Sequence, residues 1–79
     1  MSESISCDLA ASLREECFIQ LGMARHYADL AQGFLQIGDD AGAVYAFQRF
    51  LENARAAARD MKTVRTIMMG AWELRVAAE

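Results

Sequence analysis

The sequence predicts an all-α fold, an antiparallel hairpin of two long amphipathic helices in a single domain of residues 1–79. The chain contains no proline, so nothing in it forbids very long helices. Fifteen residues are alanine, which favours helix but contributes little burial. Apolar residues also recur at three- and four-residue steps on both sides of a Gly38-Asp39-Asp40 turn, which is the spacing of one helix face.

The first helix is expected to run from about Cys7 to Ile37, with residues 1–6 disordered. Ser12 begins a capping-box pattern, so a later start at that residue is also possible. One apolar stripe on this helix consists of Leu9, Leu13, Cys17, Leu21, Ala24, Ala28, Ala31 and Leu35. A second stripe consists of Ile19, Met23, Tyr27, Leu30, Phe34 and Ile37. Two stripes need two neighbours, so we expect a third helix or a second chain to cover this helix.

Gly38 is placed to end the first helix in a left-handed conformation, and Asp39 or Asp40 is placed to cap the second. The buried stripe of the second helix is predicted to hold Ala43, Val44, Phe47, Leu51, Ala54, Ala58 and Met61, followed in the same phase by Val64 or Arg65, Met68 and Trp72. Two alternatives stay open at residues 60–63. The helix continues to about Ala77, or it breaks there and Thr63 caps a third, C-terminal helix.

The charge pattern narrows the functional classes to which the protein could belong. The net charge is −3 and the pI is near 5.0, which argues against a nucleic-acid binder. Residues 1–40 hold seven acids and two arginines, whereas residues 41–79 hold six bases and four acids. An acidic helix beside a basic one explains this division, and a bipolar surface that steers a partner is the alternative. No signal peptide or membrane span is expected, so we expect a cytoplasmic protein.

Few residues suggest chemistry. Cys7 and Cys17 are about 15 Å apart along a helix, too far for a disulfide, and they lack the spacing of a metal motif. His26 is the only histidine. The residue three positions before it is Met23, so the Glu-x-x-His metal motif of helical bundles is missing. We therefore expect no catalytic residues, no metal site and no cofactor.

The stretch from residue 27 to residue 50 contains an ordered set of aromatic and small residues. They are Tyr27, Leu30, Ala31, Phe34, Ala43 and Phe47, with Gly38-Asp39 at the turn. This set resembles a single tetratricopeptide repeat. Ala31 replaces the common glycine, Phe50 stands where a small residue is usual, and Arg55 occupies the site of the usual proline. The resemblance covers under half the chain and implies a lone repeat-like hairpin with a protein-binding role.

Two groups of side chains are candidates for contact with a partner. The apolar group is Phe18, Tyr27, Phe50, Met68, Met69 and Trp72. Methionine adapts to irregular surfaces and tryptophan often anchors interfaces. The second group is a basic stripe of Arg55, Arg59 and Lys62 on one helical face. It fits a solvated face, an acidic protein or a nucleic-acid backbone.

These patterns together predict a non-catalytic protein-interaction module, such as a small regulator, an inhibitor or a chaperone-like adaptor. We expect a protein partner and a homodimer that completes a helical bundle, because the apolar stripes outnumber the surfaces that one hairpin can cover. The alternative is a nucleic-acid-associated regulator that uses the basic stripe.

Overall fold

The computed structural model describes the backbone of residues 2–78 and the side chains of residues 7–70. Helix α1 spans Ser2–Gln36 and helix α2 spans Asp40–Ala78. The two helices pack against each other as a hairpin, which confirms the predicted fold class.

Both helices are longer than the shorter alternatives that the sequence left open. The alternative in which the second helix breaks at residues 60–63 is wrong, because α2 continues through these residues. The Thr63 hydroxyl donates to the carbonyl of Arg59, 3.2 Å away within the same helix. Helix α1 begins at Ser2, where disorder was expected for residues 1–6, and Ser12 lies inside the helix. Residues 2–11 contain neither glycine nor proline, so no helix breaker separates them from the rest of α1.

The turn at residues 37–39 follows the geometry that glycine makes available. Gly38 has a φ of 76°, in the left-handed region, as predicted. Its N–H donates to the carbonyl of Leu35 at 3.2 Å, and the N–H of Asp39 donates to the carbonyl of Phe34 at 2.8 Å. These two bonds are the Schellman arrangement, and they satisfy carbonyls at the end of α1 that have no partner within the helix.

Asp39 caps α2, which decides between the two predicted aspartates. Its Oδ1 accepts a hydrogen bond from the N–H of Gly42 at 2.9 Å. Gly42 also lies directly against α1. A Cβ at this position would be 2.6 Å from the Cδ1 atom of Phe34, closer than real contacts allow. The absence of a side chain at Gly42 therefore lets the Phe34 ring pack on the first turn of α2.

The contact between the helices repeats every seven residues. On α1 it consists of Ala10, Leu13, Cys17, Gln20, Ala24, Tyr27, Ala31 and Phe34; on α2 it consists of Ala43, Ala46, Phe50, Asn53, Ala57, Asp60, Val64 and Ile67. Alternating steps of three and four residues are the heptad pattern of a two-stranded coiled coil. We call these residues the seam. Their fully buried members are alanines, Cys17 and Val64.

Small side chains let the two backbones approach closely along the seam. The Sγ atom of Cys17 donates to the backbone carbonyl of Ala57, 3.6 Å away on the other helix. Near the turn, Phe34 is beside Gly42. These two contacts fix which levels of α1 and α2 lie side by side.

The predicted apolar stripes were partly wrong. Several large residues that they placed in the core are exposed instead: Leu9, Leu21 and Leu35 on α1, and Val44, Phe47, Met61 and Met68 on α2. Phe47, the ring expected at the centre of the core, is 53% exposed. The stripes followed the largest side chains, whereas the helices meet along a seven-residue period that brings alanines inward. Trp72 lies outside the residues whose side chains are described.

Candidate interaction surfaces

The hairpin has two long faces, one on each side of the seam. In an antiparallel coiled coil, the positions that flank the seam on one side of the first helix lie beside the equivalent positions of the second. On α1, one face therefore holds the residues one and four positions after Ala10, Cys17, Ala24 and Ala31. On α2, the same face holds the residues one and four positions after Ala43, Phe50, Ala57 and Val64. The contact between Phe34 and Gly42 lies on the opposite face.

We call the first of these the broad face. It consists of Ala11, Arg14, Phe18, Leu21, Arg25, Ala28, Gln32 and Leu35 from α1, and Val44, Phe47, Leu51, Ala54, Ala58, Met61, Arg65 and Met68 from α2. Phe18 is 79% exposed here. The charged residues of the broad face are three arginines, with no carboxylate among its described side chains.

The broad face is not flat. Near the open end of the hairpin, opposite the turn, a shallow groove of about 500 Å³ is lined by Ala58, Met61, Lys62, Val64, Arg65, Met68 and Met69. Nearer the turn, the rings of Phe47 and Phe50 pack with their centroids 5.8 Å apart. The face therefore offers an aromatic pair at one end and a methionine-lined groove at the other.

The opposite face is apolar only along α1. Its exposed apolar residues, which we call the α1 stripe, are Leu9, Ile19, Met23, Leu30 and Ile37. A groove of about 320 Å³ at the turn end of this stripe is lined by His26, Asp29, Leu30, Gly33, Phe34 and Ile37. The α1 stripe is thus narrower than the broad face and ends in a small apolar groove.

Helix α2 contributes polar groups to this opposite face. Arg49 pairs with Glu52 at 3.4 Å, and its guanidinium carbon lies 5.6 Å from the centroid of the Tyr45 ring. The pKa of Arg49 is raised above its ordinary value, first by a side-chain hydrogen bond with Tyr45 and then by the charges of Tyr45 and Glu52. Both neighbours therefore favour the cationic form of Arg49.

The predicted partner-binding residues do not form one cluster. Phe18 and Met68 are exposed on the broad face, and Met69 is exposed beside its groove. Phe50 and Tyr27 are half-buried members of the seam. The Tyr27 ring meets the ring of His26 edge-on, with centroids 5.3 Å apart.

The predicted basic stripe runs along the surface of α2. Arg55, Arg59 and Lys62 are all exposed. Among the described side chains, the ion pair present is Arg49–Glu52, so the three cations of the stripe are not held by carboxylates there. The stripe is available to solvent or to an anionic surface.

Three polar residues interrupt the seam. Gln20, Asn53 and Asp60 occupy heptad positions among the apolar residues. The Asn53 amide donates to the carbonyl of Arg49 at 3.0 Å, whereas Oδ2 of Asp60 is buried without a hydrogen-bond partner in the described region. A register shift would move these groups against different apolar neighbours, so polar seam residues favour one pairing at some cost in stability.

Within residues 7–70, no three His, Cys, Asp or Glu side chains come together as a metal site, and Cys7 and Cys17 are both free thiols. Over its described length, neither helix has a stretch apolar enough to cross a bilayer. The chain matches no protein-family model, no curated protein and no solved structure.

Proposed function

We propose that this chain is a non-catalytic protein-interaction module that binds a partner protein through its exposed apolar helix faces and forms a homodimer. Its role would be that of a small regulator, an inhibitor or a chaperone-like adaptor. One observation carries the proposal. Fourteen large apolar residues are exposed among the described side chains, while the fully buried residues are alanines, Cys17 and Val64. Contiguous apolar surface of this kind marks association.

The energetics of a small core support the same proposal. Alanine buries little apolar area, and burial stabilises by about 25 cal/mol per Å². A chain of this length has a thin stability margin even with a well-filled core. Covering the exposed leucines, methionines and phenylalanines would add apolar burial to that of the seam. Association is therefore a source of stability as well as a function.

The resemblance to a tetratricopeptide repeat points the same way, as a proposal from sequence pattern. Of the six residues that carry the resemblance, Tyr27, Ala31, Phe34 and Ala43 lie in the seam, whereas Leu30 and Phe47 are exposed. A single repeat cannot form the groove of an array, so its exposed faces need another molecule. The free cysteines fit a cytoplasmic location, where thiols stay reduced.

Affinity capture from native lysate tests the proposal. We expect the tagged wild-type chain to retain a partner protein, and one of two surface variants to lose it. The variants are Phe18→Ser with Met68→Ser on the broad face, and Ile19→Ser with Leu30→Ser on the α1 stripe. These four side chains are exposed in the hairpin, so their loss should spare the fold, which circular dichroism would check.

A matched control separates specific capture from background. Gln36 and Gln48 are exposed outside both apolar faces, so Gln36→Ser with Gln48→Ser should retain the same proteins as the wild type. Identical retention by the wild type, the control and both surface variants would contradict a role for the apolar faces.

The second candidate function is a nucleic-acid-associated regulator, favoured by the exposed cations of the basic stripe. Phosphate contacts by Arg55, Arg59 and Lys62 would give binding that weakens steeply with salt. In a gel shift at low salt, Arg55→Glu with Arg59→Glu should abolish the shift, whereas Arg14→Glu with Arg25→Glu on the broad face should retain most of it. No shift of the wild-type chain at low salt would remove this candidate.

A further inference from the structure

We propose that the broad face is covered by a second copy of this chain, and that the two copies lie antiparallel, with the turn end of each against the open end of the other. This inference rests on the proposed function and adds to it the occupant of one surface and its orientation. The α1 stripe then remains open to a different partner.

The size and the apolar rows of the broad face suit a copy of itself. The hairpin is 60 Å long and 18 Å wide. A face of these dimensions is larger than the roughly 800 Å² that each partner contributes to a stable interface. Its rows of apolar side chains run from residue 11 to 35 on α1 and from residue 44 to 68 on α2, so two such faces can be stacked into a four-helix bundle. A two-fold axis closes this contact after two copies, which is the commonest form of oligomer.

The charge of the hairpin selects the orientation. Residues 26–48, at the turn end, carry Asp29, Asp39 and Asp40 and no base, a charge of −3. The rest of the chain, residues 1–25 and 49–79, carries eight bases and eight acids and has no net charge. A parallel pair stacks two turn ends of charge −3 on each other, whereas an antiparallel pair places each of them against a neutral end.

An antiparallel pair of broad faces is related by a two-fold axis that crosses the hairpin midway between the turn and the open end. An axis there, perpendicular to the helices, lays α1 on α1 and α2 on α2 of the second copy. Residues at equal distances from the middle of a helix then meet each other.

Light scattering tests the occupant. We expect the wild-type protein to scatter as a dimer, with twice the 8.8 kDa mass of one chain. The Phe47→Glu and Leu51→Glu variants should each lose at least tenfold in dimer affinity. Ile19→Glu, on the α1 stripe, is the matched control and should stay dimeric. A wild-type monomer at all concentrations would overturn the inference, and so would Ile19→Glu dissociating while Phe47→Glu stays dimeric.

A distance measurement tests the orientation without disturbing the apolar face. Cys7 is exposed near the open end, so a spin label there in the Cys17→Ala variant reports the separation of the two open ends. With a rise of 1.5 Å per residue, the antiparallel pair predicts about 40 Å between the labels. A parallel pair would bring them within about 20 Å, given helix spacings of 8–10 Å. The short distance would overturn the inference.

The two proposals can fail separately. A monomer that retains a captured protein through Phe18 and Met68 would overturn the second copy, and with it the homodimer of the proposed function, and would leave the binding of a partner protein standing. An antiparallel dimer that retains no protein from lysate would support the second copy and remove the regulatory role.

Discussion

Replacing Ala46 by leucine is expected to lower the free energy of unfolding by about 1–3 kcal/mol, the usual cost of overpacking a core. Ala46 has no exposed surface and lies in the seam two turns into α2. Leucine and alanine have similar helix propensities, so the loss would come from pushing the two helices apart. Urea denaturation followed by circular dichroism, at one protein concentration, measures it.

Ala41 provides the control for this substitution. It is exposed in the first turn of α2, away from the seam, so Ala41→Leu should change stability by less than about 0.5 kcal/mol. If the two variants denature at the same urea concentration, Ala46 does not lie between the helices and the heptad assignment fails.

Replacing Gly42 by alanine is expected to destabilise the hairpin, although alanine is the better helix former by about 1 kcal/mol. The new Cβ would lie 2.6 Å from the Phe34 ring and 2.9 Å from the carboxylate of Asp39. Both neighbours would have to move, and they are the aromatic contact and the helix cap of the turn. We expect a net loss of about 1–2 kcal/mol in the same denaturation experiment.

Gly22 is the control that tests whether the expected loss at Gly42 comes from steric crowding. It lies inside α1, is exposed, and has open space where a Cβ would stand. Gly22→Ala should therefore gain about 0.5–1 kcal/mol from helix propensity and a stiffer unfolded chain. Equal gains at Gly22 and Gly42 would show that the Phe34 ring does not pack against the first turn of α2.

The turn could be predicted from sequence because its chemistry is local. Gly38 is the residue type that adopts a left-handed conformation without strain, and an aspartate directly after it is a strong helix cap. Both properties depend only on neighbours within a few positions. The two long helices follow from the same local information, since no proline interrupts either segment.

The seam could not be predicted in the same way, because it is built from residues that carry little signal. Alanines recur with a seven-residue period at Ala10, Ala24 and Ala31 on α1, with Cys17 completing the series. Assigning the core to the largest side chains placed Phe47 inside, and the structure places it at the surface. The seven-residue period of the alanines was the feature of the sequence that could have indicated the seam.

The candidate surfaces were predicted in part. Phe18 belongs to neither predicted apolar stripe of α1 and was expected to contact a partner, and the structure places it at the surface. The broad face needs the pairing of α1 with α2, because Phe18 and Met68 lie on different helices. Sequence periodicity describes one helix at a time, so it could suggest unmatched apolar rows without showing that they join.

The short turn also decides in which order the hairpin can form. Phe34 and Gly42 are close in sequence, whereas Cys17 and Ala57 are separated by 40 residues. The entropy lost on closing a loop grows with its length, so contacts near the turn form first and those at the open end form last. In the proposed antiparallel pair, the half of each molecule that folds earliest would lie against the half of its neighbour that folds latest. Dimerisation would then stabilise the part of each hairpin that is last to form.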